Sequence, residues 1–287
     1  MNRNIAVVVD TNSGISNDLA KELGVYVIPM PFIIDGKDYL EGVNLDEETF
    51  YQKLMSDSNI STSQPSIGVI TEIWDKALEE NDYILHIPMS SSLSKCYETC
   101  EMLSHQKEYE GKVYIVDNRR ISKTLEYSVK EAIELIKRGK TAAEIKLFLE
   151  ETANDSTIYL MVDTLKYLKK GGRVTPSAAL LGTLLGIKPV LQIQGGKLDA
   201  FAKCRTIKQA KRIMFNQIKE DIIKRFNGQE VEIVFAEAFS KGEIENFKEE
   251  VKQELIDVDE NIGKLSYSII CHTGPGVIGI GCCKKHI

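Results

Sequence analysis

Residues Leu85–Tyr97 read L-H-I-P-M-S-S-S-L-S-K-C-Y, and the reading of this stretch decides the fold. The apolar run from Tyr83 to Met89 has the length and composition of a buried strand. Three serines stop it. Leu93, Tyr97, Cys100 and Leu103 then recur at helical spacing, so a helix follows. A strand, a hydroxyl-bearing turn and a helix in succession direct free backbone N–H groups and a positive dipole end at whatever lies above the strand. Phosphate or carboxylate suits such a junction. In an open parallel sheet the guest sits beyond the carboxyl ends of the strands. A serine that merely caps the helix is the plainer alternative, and the stretch alone admits both.

Upstream, Ile5–Val9 is a β-branched run that ends in Asp10, Thr11, Asn12 and Ser13, a strand followed by a polar turn. Asn17 to Leu23 reads as a short helix closed by Gly24. Val25–Ile34 is extended, since Pro29 and Pro31 break a helix, and Asp35-Gly36 reads as a hairpin turn. Asp46 caps a helix running to Met55. Ser58 to Ser66, S-N-I-S-T-S-Q-P-S, reads as a loop, either plain connection or a second set of hydroxyls facing the same site. Ile67 to Leu78, with the sole tryptophan Trp74, is helical. Downstream, Lys112–Val116 is a strand that ends in Asp117, and Ser128 to Arg138 is a helix. Thr141 and Glu144 form a capping box for a helix over 142–151. Strands alternating with helices predict a three-layer α/β domain with a mostly parallel sheet.

Beyond about residue 155 the pattern changes. The spacing predicts strands at Thr157–Val162, Pro189–Ile193, Leu198–Lys203, Val231–Ala238, Lys264–Ile270 and Val277–Cys282. Helices are expected at Thr164 to Lys170, Pro176 to Gly186, Ile207 to Phe226 and Glu243 to Leu255. Hairpins interleaved with helices predict an α+β domain with a mainly antiparallel sheet. The expected domains are therefore residues 1–155, with the Thr62 loop and the Ser91 turn, and residues 156–287, with Arg173 and His272.

The formal net charge of −6 over 287 residues argues against a general nucleic-acid binder, which carries a basic face. No stretch approaches the ~20 apolar residues of a membrane span, and the N-terminal apolar run is short for a signal peptide. A cytoplasmic protein is expected, with any membrane contact transient. Six cysteines in a chain of this size do not form a disulfide framework. Cys96 and Cys100, one turn apart, read as core residues. Cys282 and Cys283 lie near His286 without the spacing that zinc requires, so no metal is expected.

Catalytic signatures are sparse. A G-x-S-x-G elbow is absent from the sequence, and no P-loop or G-x-G-x-x-G turn follows the first strand. His272 could act as base to a serine, but spacing fixes no third partner. It stands in H-T-G-P-G between two expected strands, as a structural residue or, because such a turn lets backbone approach a ligand, as a ligand contact. Lys169 and Lys170 complement a helix C-terminus, and Arg173 follows at a bend.

Taken in order, T-S-Q-P-S at Thr62–Ser66, S-S-S-L-S at Ser90–Ser94 followed by Tyr97, G-G-R at Gly171–Arg173, I-K-P at Ile187–Pro189 and H-T-G-P-G at His272–Gly276 resemble the DegV family of fatty-acid-binding proteins. Its better-understood members are the FakB subunits of bacterial fatty acid kinase. The resemblance covers essentially the whole chain. It departs where the family has S-G-T-Y and this chain has Ser94-Lys95-Cys96-Tyr97.

The resemblance implies a long-chain, palmitate-like fatty acid bound between the two domains, with no cofactor. Its carboxylate would be held by Thr62, Ser91 and His272, with Ser94 and Ser63 as neighbours. A separate ATP-binding fatty acid kinase subunit would phosphorylate the presented carboxylate to an acyl phosphate for phospholipid synthesis, with Arg173 at the docking surface. The chain itself would be non-catalytic. The apolar segments Ala178–Leu185 and Ile187–Ile193 would serve as tunnel walls. A serine-type acyl hydrolase using Ser91 or Ser92 with His272, and a fatty-acid carrier or sensor without a kinase, are the alternatives.

Overall fold

The computed structural model describes residues 4–41, 43–56, 58–181 and 186–287, and side chains at all of these except 179–181. The chain divides into two compact units, one of residues 1–121 and 125–154 with Ile287, the other of residues 122–124 and 155–286.

In the first unit β1 (Ile5–Asp10), β2 (Tyr26–Ile28), β6 (Tyr83–Ile87) and β7 (Val113–Ile115) form a wholly parallel sheet in the order β2-β1-β6-β7. The helices are α1 (Asn17–Leu23), α2 (Glu47–Met55), α3 (Ile67–Leu78), α4 (Cys96–Ser104), α5 (Lys123–Lys137), whose first two residues belong to the second unit, and α6 (Ala142–Glu151). Side chains alternate across a strand. Ala6, Val8, Ile84, Val113 and Ile115 meet Ile70, Trp74 and Ala77 of α3 and Cys96, Cys100 and Leu103 of α4. The alternate positions Val7, Val9, Leu85 and Ile87 are buried too, and α6 packs on β6 and β7. Burial on both faces is the mark of a three-layer α/β sheet. A small antiparallel sheet, β4-β3-β5, stands beside it, built of β3 (Pro31–Ile34), β4 (Lys37–Leu40) and β5 (Ile60–Thr62).

The local signals of this unit explain themselves. Gly24 closes α1 at φ 68°, and Ser16, Asp46 and Ser66 each cap a helix through a side-chain oxygen. Thr141 and Glu144 complete the capping box of α6. Asp35 and Gly36 both take positive φ in the β3–β4 hairpin, as a two-residue I′ turn demands. Two boundaries differ from expectation. The 58–66 stretch is not all loop: Ile60–Thr62 pairs antiparallel with Phe32–Ile34, because the ladder outweighs the surrounding turn residues. Helix α5 begins at Lys123 rather than Ser128, since Leu125 and Val129 are buried on its inner face.

The second unit is a six-stranded sheet in the order β10-β9-β8-β13-β11-β12. Its strands are β8 (Ser156–Met161), β9 (Lys188–Ile193), β10 (Asp199–Cys204), β11 (Val231–Ala238), β12 (Val258–Lys264) and β13 (Val277–Lys284). All pairings are antiparallel except β11 with β12. The helices are α7 (Lys166–Gly171), α8 (Pro176–Leu181), α9 (Ile207–Lys224), α10 (Glu243–Lys252) and α11 (Tyr267–Thr273). Met214, Phe215 and Ile218 of α9 and Ile244, Phe247 and Val251 of α10 pack on Tyr159, Phe235, Ile278 and Ile280. The observed fold is thus mixed α/β with a parallel sheet in one unit and a mainly antiparallel sheet in the other.

The strand expected at Lys264–Ile270 is absent. The strand there is β12, which ends at Lys264, and residues 267–273 are helix α11. Ser266 caps it by accepting the Ile269 N–H. The short run S-Y-S-I-I-C is β-branched enough to read as strand, and length alone cannot arbitrate at seven residues. His272 therefore lies in the last turn of a helix, not in a link between strands. Of the expected wall residues, Ala178 is buried, and Leu184 and Leu185 lie outside the described residues.

Candidate functional site

The parallel sheet brings the loops after β1, β6 and β7 to one edge. Strand order reverses between β1 and β6, and such a switch point opens a crevice at the carboxyl ends. Asp10, the last residue of β1, ties this edge together. It is buried, and its carboxylate accepts the N–H groups of Asn12 and of Met89, the residue before the serines. Burial pushes its pKa up to about 6 in spite of those two backbone donors.

The turn after β6 is held by its own backbone. Ser90 N–H donates to Arg120 O, and Ser90 O accepts from the amides of Leu93 and Ser94. Helix α4 starts only at Cys96, and its cap residue Lys95 makes no side-chain capping bond. Ser94 Oγ accepts the Cys96 N–H at 3.2 Å. Lys95 stands at φ −81°, ψ 4°, which any L residue adopts, so the lysine imposes no strain where the family has glycine. Ser91 does something else. Its hydroxyl donates to Asp117 Oδ2 at 2.5 Å and its amide donates to Oδ1 at 3.3 Å.

Thr62 ends β5 opposite Phe32. Ser63 follows, exposed, with its amide 3.5 Å from Pro31 O. Gln64 accepts a hydrogen bond from Thr99 of α4 at 3.1 Å. The T-S-Q-P-S stretch is thereby fastened to the helix that follows the serine turn, within the same unit. The electrostatics there are acidic. Burial, then Glu101, Glu150, Asp117 and Glu98, push the Tyr97 phenol up to about 12, so it stays a donor at neutral pH.

In the second unit Gly171-Gly172-Arg173 ends α7, with Gly172 at φ 67° as the left-handed cap. A Cβ on Gly171 would lie 2.0 Å from His272 Nδ1. Only glycine lets the imidazole seat against the end of α7. A Cβ on Gly274, at φ +75°, would lie 2.3 Å from the Tyr167 ring. The two glycine motifs are one packed assembly, which explains why they occur together. Arg173 is exposed and donates to Gly171 O at 2.6 Å. Burial, then the positive charge of Arg173, depress the His272 pKa to about 4. His272 is therefore neutral at pH 7, a one-proton donor with an acceptor nitrogen.

Three residues that position this region carry no expected site role from sequence: Asp117, Asp10 and Arg120. The guanidinium of Arg120 is buried and donates to Ser128 Oγ, Glu131 and Thr152 O, which anchors the loop after β7. Two of the three carried a signal. Asp10 and Asp117 are each an acid that closes an apolar strand at the same sheet edge. Among the described residues no cluster of His, Cys, Asp and Glu is placed to hold a metal, and no helix is long and apolar enough to cross a membrane.

Comparison with known proteins places this geometry in a family. Residues 4–285 match the DegV family of uncharacterised proteins. A DegV domain-containing protein of Clostridium acetobutylicum is 31% identical over 280 residues, covering 96% of each chain. A DegV family protein from Thermus thermophilus, whose structure is described as fatty acid binding, is 28% identical at a TM-score of 0.89 over 98% of this chain and 100% of that one. DegV from Bacillus subtilis, described as a fatty acid binding protein, is 26% identical at a TM-score of 0.86 over 99% of this chain and 100% of that one.

Proposed function

The chain belongs to the DegV family, and from that premise we propose that it binds one long-chain fatty acid and is not itself an enzyme. The observation that carries the reading is its whole-length likeness to two solved relatives described as fatty acid binding. Thr62 and Ser91 are the proposed hydroxyl donors to the carboxylate, with Ser63 and Ser94 beside them, and His272 is the proposed imidazole donor. A neutral imidazole supports that role, because it donates one hydrogen bond without carrying its own charge into a desolvated site. A buried carboxylate needs several such donors. A chain of about fifteen methylenes gains roughly 0.8 kcal/mol each on burial, about 12 kcal/mol before ordering costs. The ligand should therefore survive purification.

The finer reading is that the bound acid is presented to a separate ATP-binding kinase subunit, as in the FakB proteins, with Arg173 at the docking surface. The exposure of its guanidinium supports that placement. The testing experiment is mass spectrometry of a solvent extract of the purified protein. A stoichiometric fatty acid is expected, and its length names the ligand. An empty extract, together with no uptake of added fatty acid, overturns the reading.

A further inference from the structure

The serine turn was expected to offer free donors to an incoming anion. In the structure an anion of the chain itself already holds two of them, both from Ser91. Asp117 takes both the hydroxyl and the amide of Ser91, across 26 positions of sequence. A serine hydroxyl has a single proton to donate. While that proton points at Asp117, the oxygen presents only lone pairs to anything else.

We propose that Asp117 is an internal competitor for Ser91: its carboxylate, which takes the Ser91 hydroxyl and amide, vies for them with a fatty-acid carboxylate, so that it sets how readily the acid is released. This rests on Ser91 being a carboxylate donor, as read above. Two carboxylates at one serine also repel, since like charges a few ångströms apart disfavour double ionisation. The surroundings sharpen the conflict. Glu150 Oε1 accepts the Asp117 amide N–H at 3.2 Å. Lys146 Nζ lies 3.4 Å from Glu150 Oε1 and donates to Ile115 O, so its charge is engaged with the neighbouring acid. Asp117 thus makes retention by the turn weaker than the donor set alone would give, a useful property for a protein that must hand its cargo on.

The test compares cis-parinaric acid with the corresponding alcohol, both followed by fluorescence in delipidated protein. Asp117→Asn keeps the shape and removes the charge. The acid should bind roughly tenfold more tightly and dissociate correspondingly more slowly. The alcohol can itself donate to Asp117 and should gain nothing. In a Ser91→Ala background the Asp117→Asn gain should shrink, because the contested hydroxyl is gone. Asp117→Ala, which should shift the acid-to-alcohol ratio in the same direction, serves if the asparagine variant folds poorly. A purely structural role would lower the melting temperature and weaken both ligands together, and that result overturns the proposal, as does an unchanged ratio. If the wild type binds no parinaric acid at all, the fatty-acid reading itself fails and this inference with it. An unchanged ratio on a wild type that does bind sinks the competition alone.

Discussion

Replacing Gly171 by alanine should release His272 from its seat. The added Cβ would lie 2.0 Å from Nδ1, 2.9 Å from Cε1 and 3.2 Å from Cγ of the imidazole. Van der Waals contact needs about 3.5 Å, so the ring must withdraw by about 1.5 Å. Two energies oppose each other. Alanine in place of glycine at a helical position gains up to about 1 kcal/mol, whereas overpacking of this kind costs about 1–3 kcal/mol. The net expectation is a loss of between about 0 and 3 kcal/mol. The imidazole provides the sharper readout. Burial is the first cause of its depressed pKa of about 4, so a ring pushed toward water should titrate closer to the ordinary value of about 6.5. Recovery of one unit corresponds to about 1.4 kcal/mol of relieved desolvation. The assay is a proton NMR titration of the imidazole resonances, assigned among the four histidines with a His272→Gln variant, alongside urea unfolding. Retention of a bound fatty acid should fall in the same variant. A His272 that still titrates near 4 in a chain made more stable by the helix gain would refute the packing argument.

The pH dependence of stability should carry the signature of two groups of opposite sign. His272 is depressed from about 6.5 to about 4, so between those values the unfolded chain binds the extra proton and stability falls as pH falls, by about 2–3 kcal/mol; urea unfolding of wild type against His272→Gln should show that gap narrowing from pH 7 to pH 4.5, and a pH-independent gap would contradict it. Asp10 is raised from 3.8 to about 6, so its contribution runs the other way and is lost as pH rises through that window. Lys123 and Asp259 form a 2.7 Å ion pair buried at 4% and 8% exposure. Lys123→Ala removes the cation from a buried carboxylate that also accepts the Asn261 N–H and should cost about 3–5 kcal/mol in chemical denaturation, whereas a cost below 1 kcal/mol would mean the pair is solvated.

Much of the fold was legible because short-range rules decide it. Asp46, Ser66 and the Thr141–Glu144 box cap their helices where the residue types said they would. The alternation of strands and helices, and later of hairpins, separated a parallel sheet from an antiparallel one. Helix α11 was misread because seven residues with two isoleucines satisfy either period, and the Ser266 cap is what settles it. The placement of β12 followed from the same error, its polar D-E-N-I-G-K run lacking alternation.

The hydroxyl-bearing stretches at Thr62–Ser66 and Ser90–Ser94 could be picked out from residue types alone, although those types suit helix caps as well as ligand donors, and Ser66 does cap a helix. What the sequence by itself determined was therefore which hydroxyls, imidazole and glycines are present and the order in which they come. Tertiary structure decided their state. The charge of an imidazole depends on what covers it, and His272 is neutral because α7 ends against its ring beside Arg173. The direction of a hydroxyl proton depends on the nearest acceptor, and Ser91 points at Asp117 because β6 and β7 are neighbours in the sheet. Local periodicity encodes elements, whereas protonation and hydrogen-bond direction are set by groups distant in sequence that only the folded chain brings within reach.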